Sequence, residues 1–244
     1  MPLMEHPVAP AASRPVRMIL FDAGNTLLRM NYEAVAEQIR HHGVPVTPDE
    51  VRVAEWRARV RLDATLAPGT STESGSTSGR YLRYLLEGVG VTDEATVRAI
   101  AEWRRGYNLP VGLWHLPDPD AERALRALAD RAIRAAVISN SNGSVRSILT
   151  ELGLARHLDF VLDSGELGVE KPDPRIFRIA LERAGVEPAD AVYVGDLYSV
   201  DVLGARGVGL PAILLDPGGL WGERDCPRVP GLLAACDLVL ARGA

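Results

Sequence analysis

Asp22 closes the apolar run Met18-Ile19-Leu20-Phe21 and is followed by a Gly-Asn-Thr turn. A buried strand that stops at a carboxylate carries it at the strand's carboxyl end, where open α/β sheets bind ligands. Asp22 therefore suits the work of a nucleophile, a metal ligand or both. Three later stretches end in a similar way. Ala136-Val137-Ile138 runs into Ser139-Asn140-Ser141-Asn142-Gly143, where a hydroxyl and free backbone N–H groups at the start of a helix make an anion seat. Gly168-Val169-Glu170-Lys171-Pro172-Asp173-Pro174 sets a lysine before a proline turn, where its ammonium can hold a phosphate oxygen and an aspartate together. Val192-Tyr193-Val194-Gly195-Asp196, followed by Asp201, offers two carboxylates to a hard cation such as Mg²⁺. Taken singly, each stretch has a plainer reading as a strand or helix cap, or as a solvated surface lysine.

The elements between these residues must bring them together. From Asp118 onward, helical and short apolar runs alternate: helix 119–131, strand 132–138, helix 144–152, strand 160–162, helix 175–184, strand 191–194, helix 202–206 and strand 212–215. A short helix at 232–235 and a last strand at 238–240 complete the series. Such alternation builds βαβ units, so the fold class is α/β, a doubly wound parallel sheet with helices on both faces. Between 31 and 113 no strand pattern occurs. Helical spacing covers 32–42, a long Arg-rich stretch to about 66 opened by Thr47-Pro48-Asp49-Glu50, a segment around Tyr81 to Leu86, and one from Thr92-Asp93-Glu94 to about 107. Residues 31–113 are therefore expected to form an inserted all-helical cap domain. Residues 16–30 and 114–244 form the α/β core, and 1–15, rich in Pro and Ala, a disordered lead-in. The Gly/Ser/Thr-rich stretch 68–79 reads as a mobile loop, and Trp114 with His115 as a hinge where the chain returns to the core.

Composition narrows the partners. The formal net charge of -5 offers no basic footprint for nucleic acid, and no apolar run approaches the roughly 20 residues that span a bilayer. The two cysteines, Cys226 and Cys236, lack metal-ligand spacing and read as packing residues in a reducing cytoplasm. No signal-peptide core precedes the first strand, so a cytoplasmic location is expected. The neighbours His41 and His42 point in different directions on a helix and make a poor metal pair. Twenty-six arginines stand against one lysine, Lys171, which marks that position as one needing a compact point charge. No feature of the sequence sets an oligomeric state.

In this order and in these contexts, the four stretches resemble the haloacid dehalogenase (HAD) superfamily of aspartate-nucleophile hydrolases. The resemblance runs from about Arg17 to Leu240 and includes a helical insertion after the first strand, the helical-cap (C1) type. It implies a Rossmann-like core acting on a small phosphorylated metabolite. By resemblance, Asp22 attacks phosphorus and forms an aspartyl-phosphate, and Thr26 hydrogen-bonds and orients it. Ser139 and the Asn140 amide bind the transferring phosphoryl group, and Lys171 offsets the charge of phosphate and carboxylates. Mg²⁺ is held by Asp22, Asp196 and the backbone carbonyl of Gly24, with Asp201 as a ligand or behind the ligands.

The chain departs from the family's phosphatases at one position. They usually carry a second aspartate two residues after the nucleophile as general acid and base, and here Gly24 stands there. General acid–base catalysis is typically worth about 10²–10⁴-fold. Asp63, Glu73 or a water is then expected to supply the proton, or the substrate to need none, as with acyl or aryl phosphates. Restoring an aspartate at 24 is expected to raise turnover of alkyl phosphates. The resemblance leaves two alternatives. A 2-haloacid dehalogenase also lacks the second aspartate, but uses no metal, typically has Ser and Asn where this chain has Gly195-Asp196, and takes the halide on a cap arginine for which Arg29 and Arg40 are loose matches. A non-catalytic binding protein on the same scaffold is the other. Among cap residues, Trp56, Arg57, Arg61, Asp63, Tyr81, Tyr84 and Trp103 are those that could face the cleft, although helical spacing favours core or solvent.

Overall fold

The computed structural model describes residues 15–67, 69–107 and 112–242, so the 1–15 lead-in, apart from Pro15, lies outside the described residues, as does Pro68. In chain order the elements are β1 (Met18–Phe21), β2 (Leu28–Met30), α1 (Tyr32–His41), α2 (Pro48–Asp63), α3 (Gly75–Gly88), α4 (Glu94–Tyr107), β3 (Trp114–Pro117), α5 (Ala121–Ala129) and β4 (Arg134–Ser139). There follow α6 (Val145–Glu151), β5 (Val161–Asp163), α7 (Ser164–Leu167), α8 (Pro174–Ala184), β6 (Ala191–Gly195), α9 (Leu203–Arg206), β7 (Ala212–Leu215), β8 (Arg228–Val229) and α10 (Leu232–Arg242).

Among the described residues a six-stranded parallel sheet has the order β5-β4-β1-β6-β7-β8. β1 is central because every one of its side chains is buried, and the pleat sends them to opposite faces. Ile19 and Phe21 pack with α5, α6 and α10. Met18 and Leu20 pack with α8 and α9. The chain leaves β1 toward β4 and β5 on one side and later toward β6 to β8 on the other, so the strand order reverses at β1, where such sheets form a crevice.

The helical cap, α1 to α4, is inserted between β2 and β3 and has its own core, built on Val35, Ile39, Leu62, Leu82, Leu85 and Ile100. α2 opens with a capping box in which the Glu50 N–H donates to Thr47 Oγ1 at 3.2 Å and the Thr47 N–H to Glu50 Oε2 at 2.8 Å. No helix among the described residues is long and apolar enough to cross a membrane.

Three expectations change. The stretch 68–79 is only partly loop, since Ser74 accepts the Thr77 N–H and starts α3 at Gly75, with Thr77 buried. The strand expected at 238–240 is helix: Leu232, Ala235, Cys236 and Val239 bury one helical face, so α10 runs on without a break. The sheet's edge strand is instead Arg228–Val229, and β2 with β3 forms an antiparallel ribbon that no alternation in such short segments signalled.

Candidate active site

The carboxyl ends of β1, β4 and β6 and the loop before α8 meet at one buried cluster. Lys171, 2% exposed, donates its three N–H groups to Asp22 Oδ1 at 2.5 Å, Asp201 Oδ1 at 2.8 Å and the Tyr193 hydroxyl at 2.9 Å. That uses every donor an ammonium has. Burial lowers the lysine's pKa, but Asp201 and Asp22 outweigh it and the net shift is upward. The single lysine is thus a fixed positive charge.

Asp201 is fully engaged, because its Oδ2 also accepts the N–H groups of Asp196 at 3.1 Å and Leu197 at 2.9 Å. Its approach requires Gly195: a Cβ there would lie 2.4 Å from Asp201 Cγ. The carboxylates of Asp22, Asp196 and Asp201 each bring an oxygen within 4.8 Å of the others. Burial pushes the Asp22 carboxyl up to about 6 despite Lys171, and burial raises Asp196 well above the usual range although Arg59 opposes it. Fully ionised, these three and the buried Glu55 would set four negative charges against the two cations Lys171 and Arg59, two short of neutrality. One divalent ion supplies that complement, and the all-oxygen donor set suits a hard cation.

The cap reaches into this cluster. Glu55, Arg59 and Asp63 are spaced four apart on α2 and all buried. Arg59 Nε and Nη2 donate to Glu55 Oε1 and Oε2 at 2.9 and 2.5 Å, and Nη1 lies 3.1 Å from Asp196 Oδ2. Tyr81 and Tyr32 hydroxyls donate to the same Glu55 at 2.6 and 3.2 Å. Asn25, held at φ +54°, donates Nδ2 to Asp196 Oδ2 at 3.1 Å and accepts the Trp114 Nε1–H at 2.8 Å. Asp63 does not face the cleft; its Oδ1 accepts the Ser199 N–H and hydroxyl at 2.9 and 2.7 Å and clasps cap to core. Arg57, Trp56, Tyr84 and Trp103 are absent from the cleft wall, and Arg61 pairs with Glu87 instead; only Tyr81 of the expected cap residues lines it.

Ser139 and Asn140 sit at the end of β4. Asn140 locks two loops together, its Oδ1 accepting the Lys171 N–H at 2.7 Å and its Nδ2 donating to Lys171 O at 2.9 Å. Asp163, fully buried, shapes the loop that follows by accepting the N–H groups of Gly143 and Val145 at 3.0 and 3.3 Å. Thr26 differs from expectation: its Oγ1 is buried and makes no hydrogen bond to Asp22. Among the described residues, Thr26 Oγ1 and Arg59 Nη1 are the buried side-chain atoms left without a hydrogen-bond partner, and both belong to this region.

A cleft of about 220 Å³ opens over Asp22, Ser139, Asn140 and Lys171. At Gly24 the nearest atom of the Trp114 indole lies 3.6 Å from where a Cβ would be, an ordinary van der Waals contact, so a β-carbon fits against the ring. Glu73 lines the cleft, on a loop pinned by Ser71 Oγ donating to Glu170 Oε2 at 3.1 Å and Asn140 Nδ2 donating to Thr72 Oγ1 at 2.9 Å. Its carboxyl is solvent-facing yet hemmed in by protein, and burial, with Glu170 adding to it, pushes its pKa up to about 7.

Residues 16–209 match the family described as hydrolase, haloacid dehalogenase-like hydrolase. Haloacid dehalogenase-like hydrolase domain-containing protein 3 of Homo sapiens is 38% identical over 239 residues, covering 91% of this chain and 94% of that protein. A 2-haloacid dehalogenase structure from Pseudomonas syringae pv. Tomato DC3000 is 30% identical with a TM-score of 0.55, covering 94% of this chain and all of that one. A phosphoserine phosphatase of Thermus thermophilus is 44% identical over 101 residues, 41% of each chain.

Proposed function

The chain belongs to the haloacid dehalogenase-like hydrolases, and from that premise we propose that it is a Mg²⁺-dependent phosphatase of the helical-cap (C1) type, acting through an aspartyl-phosphate on a small phosphorylated metabolite. The observation that carries this reading is the triad of buried carboxylates around Lys171, where, among the described residues, no side chain pairs with Asp22 Oδ2 or Asp196 Oδ1 while Asp201 is saturated. Asp22, Asp196 and the Gly24 carbonyl would hold Mg²⁺, and Asp201 fixes Lys171 and the Asp196 backbone. Bound there, the ion supplies positive charge to the phosphoryl oxygens and to the nucleophile's carboxylate.

Phosphoryl transfer asks chiefly for positioning and charge stabilisation. Asp22 attacks phosphorus, and the bond to the leaving oxygen breaks with its electron pair on that oxygen. Ser139 and the Asn140 amide seat the phosphoryl group, and Lys171 offsets its charge. Glu73 is the one carboxyl lining the cleft, among the described residues, that stands apart from the Asp22–Asp196–Asp201 cluster. It is the group we assign to protonate the leaving oxygen and then to take a proton from the water that hydrolyses the aspartyl-phosphate, in place of the aspartate absent at 24. The free cysteines fit a reducing compartment, and the cytoplasm is the proposed setting.

The deciding experiment is phosphate release from p-nitrophenyl phosphate and acetyl phosphate. Activity that requires Mg²⁺, stops with EDTA and is lost in Asp22→Asn supports the reading; equal rates in EDTA overturn it. A second reading, a 2-haloacid dehalogenase, is favoured by one observation: Arg59 brings a buried cap arginine to the cluster, which Arg29 and the surface-paired Arg40 do not. Chloride release from a 2-chloro acid in EDTA would select it.

A further inference from the structure

Arg104, in the last turn of α4, is buried to 9% exposure and lines the same cleft as Asp22 and Ser139. Its Nη1 donates to Ser78 O at 2.7 Å, and its guanidinium carbon lies 5.9 Å from the Trp114 ring centroid. No other hydrogen bond and no ion pair to it occurs among the described residues. Arg59, by contrast, is chelated by Glu55 and touches Asp196. The remaining Arg104 N–H donors have no protein acceptor among the described residues and are not sealed from solvent, on a residue that lines the cleft. Burial lowers its pKa, and Tyr81 and Glu73 oppose that without reversing it.

A largely buried guanidinium with no carboxylate paired to it is electrostatically unbalanced, and an anion in the cleft would complete it. We propose that Arg104 is the seat of a carboxylate on the leaving-group side of the substrate, so that the protein acts on a compact phosphorylated carboxylic acid. A planar two-oxygen anion matches the guanidinium fork, which offers paired parallel donors. At about 220 Å³ the cleft lies below the roughly 300–1,000 Å³ usual for drug-sized ligands, which confines the acid to a few atoms beyond the phosphoryl group. The Trp114 ring centroid lies 5.9 Å from the Arg104 guanidinium carbon and its nearest atom 3.6 Å from the Cβ position at Gly24, so the same ring neighbours both positions.

This assignment rests on the phosphatase reading for the position of the phosphoryl group, but its test reads binding without turnover. Calorimetry with Mg²⁺ compares phosphonoacetate with ethylphosphonate, and 3-phosphonopropionate with propylphosphonate, each pair differing in the carboxylate. Wild type is expected to bind at least one carboxylate-bearing member about ten- to a hundredfold more tightly, the usual worth of hydrogen bonds to a charged group. Arg104→Gln removes that preference and Arg104→Lys retains part of it. Equal affinities in wild type overturn the proposal, as does a preference that survives in a folded Arg104→Gln. The wild-type comparison alone can overturn the proposal even if the variants do not fold. Loss of Mg²⁺-dependent phosphate release from p-nitrophenyl phosphate counts against the phosphatase and not against this preference.

Discussion

Arg59 of the cap lies 3.1 Å from Asp196 of the core, and the same guanidinium is gripped by Glu55 one helical turn earlier. The contact is an ion pair between two almost fully buried side chains, one from each part of the fold. Burial lowers the arginine's pKa, but Glu55 and Asp196 outweigh it, so the cation persists at every working pH. Arg59→Met leaves Glu55 buried with only hydroxyl and amide donors. Removing one partner of such a pair costs about 3–5 kcal/mol, to be read from urea unfolding. The double variant Glu55→Gln/Arg59→Met is expected to be less destabilised than the single one; the reverse order would show that Glu55 is not the group left stranded.

Divalent-ion binding should be visible in stability as well as in rate. Mg²⁺ at a hundred times its Kd raises the unfolding free energy by about 2.7 kcal/mol, as for any ligand of the native state alone. Thermal melts should shift upward with Mg²⁺, return with EDTA, and lose the shift in Asp196→Asn. An unchanged melting point at millimolar Mg²⁺ would sink the metal assignment.

Restoring the missing carboxylate at position 24 is expected to fail on its own. A Cβ there meets the Trp114 indole at 3.6 Å, so a carboxylate extending from it has to be placed around that ring. Gly24→Asp should therefore show no gain on alkyl phosphates, contrary to the expectation from sequence, whereas Gly24→Asp/Trp114→Ala should turn them over faster than Trp114→Ala does. Steady-state kinetics on an alkyl and an aryl phosphate provide the comparison.

Glu73 predicts both a leaving-group dependence and a pH limb. Its carboxyl is raised from the ordinary value to about 7, so the acid form persists through mildly acidic pH and is lost as pH rises through about 7. Burial and Glu170 set that value, Arg104 opposes them, and Asp163 and Asp22 add to them. Alkyl-phosphate kcat/KM should fall above pH 7, and Glu73→Gln should lower it about 10²–10⁴-fold while sparing aryl phosphates. Equal losses on both substrates would remove Glu73 from the proton-transfer role.

The strand tips were legible because each is a polar residue that abruptly ends an apolar run: Asp22, Ser139 and Asp196 all lie where the sequence put them, and Lys171 stood out by being alone. The parallel sheet followed from the alternation of elements. Arg59 and Glu55 were not legible. Charged residues four apart on a helix ordinarily form a solvated pair, and only the core opposite makes theirs a buried one. A trace existed nonetheless, since Glu55, Arg59 and Asp63 lie beside the apolar stripe Val51, Ala54, Ala58 and Leu62 rather than opposite it. The C-terminal half of α10 is not legible, because Leu238-Val239-Leu240 in isolation is as good a strand as a helix. The role of Trp114 depends on two strands too short to show a period.

Both passages between sheet and cap run side by side in the β2–β3 ribbon, closed at one end by the Asn31 N–H donating to Leu113 O and at the other by the Asp118 N–H donating to Leu27 O, each at 2.9 Å. Trp114 belongs to that ribbon and donates to Asn25, so the two crossings into the cap and the loop after β1 are tied into one connected strap, and a displacement of the strap would be felt at the turn that follows Asp22.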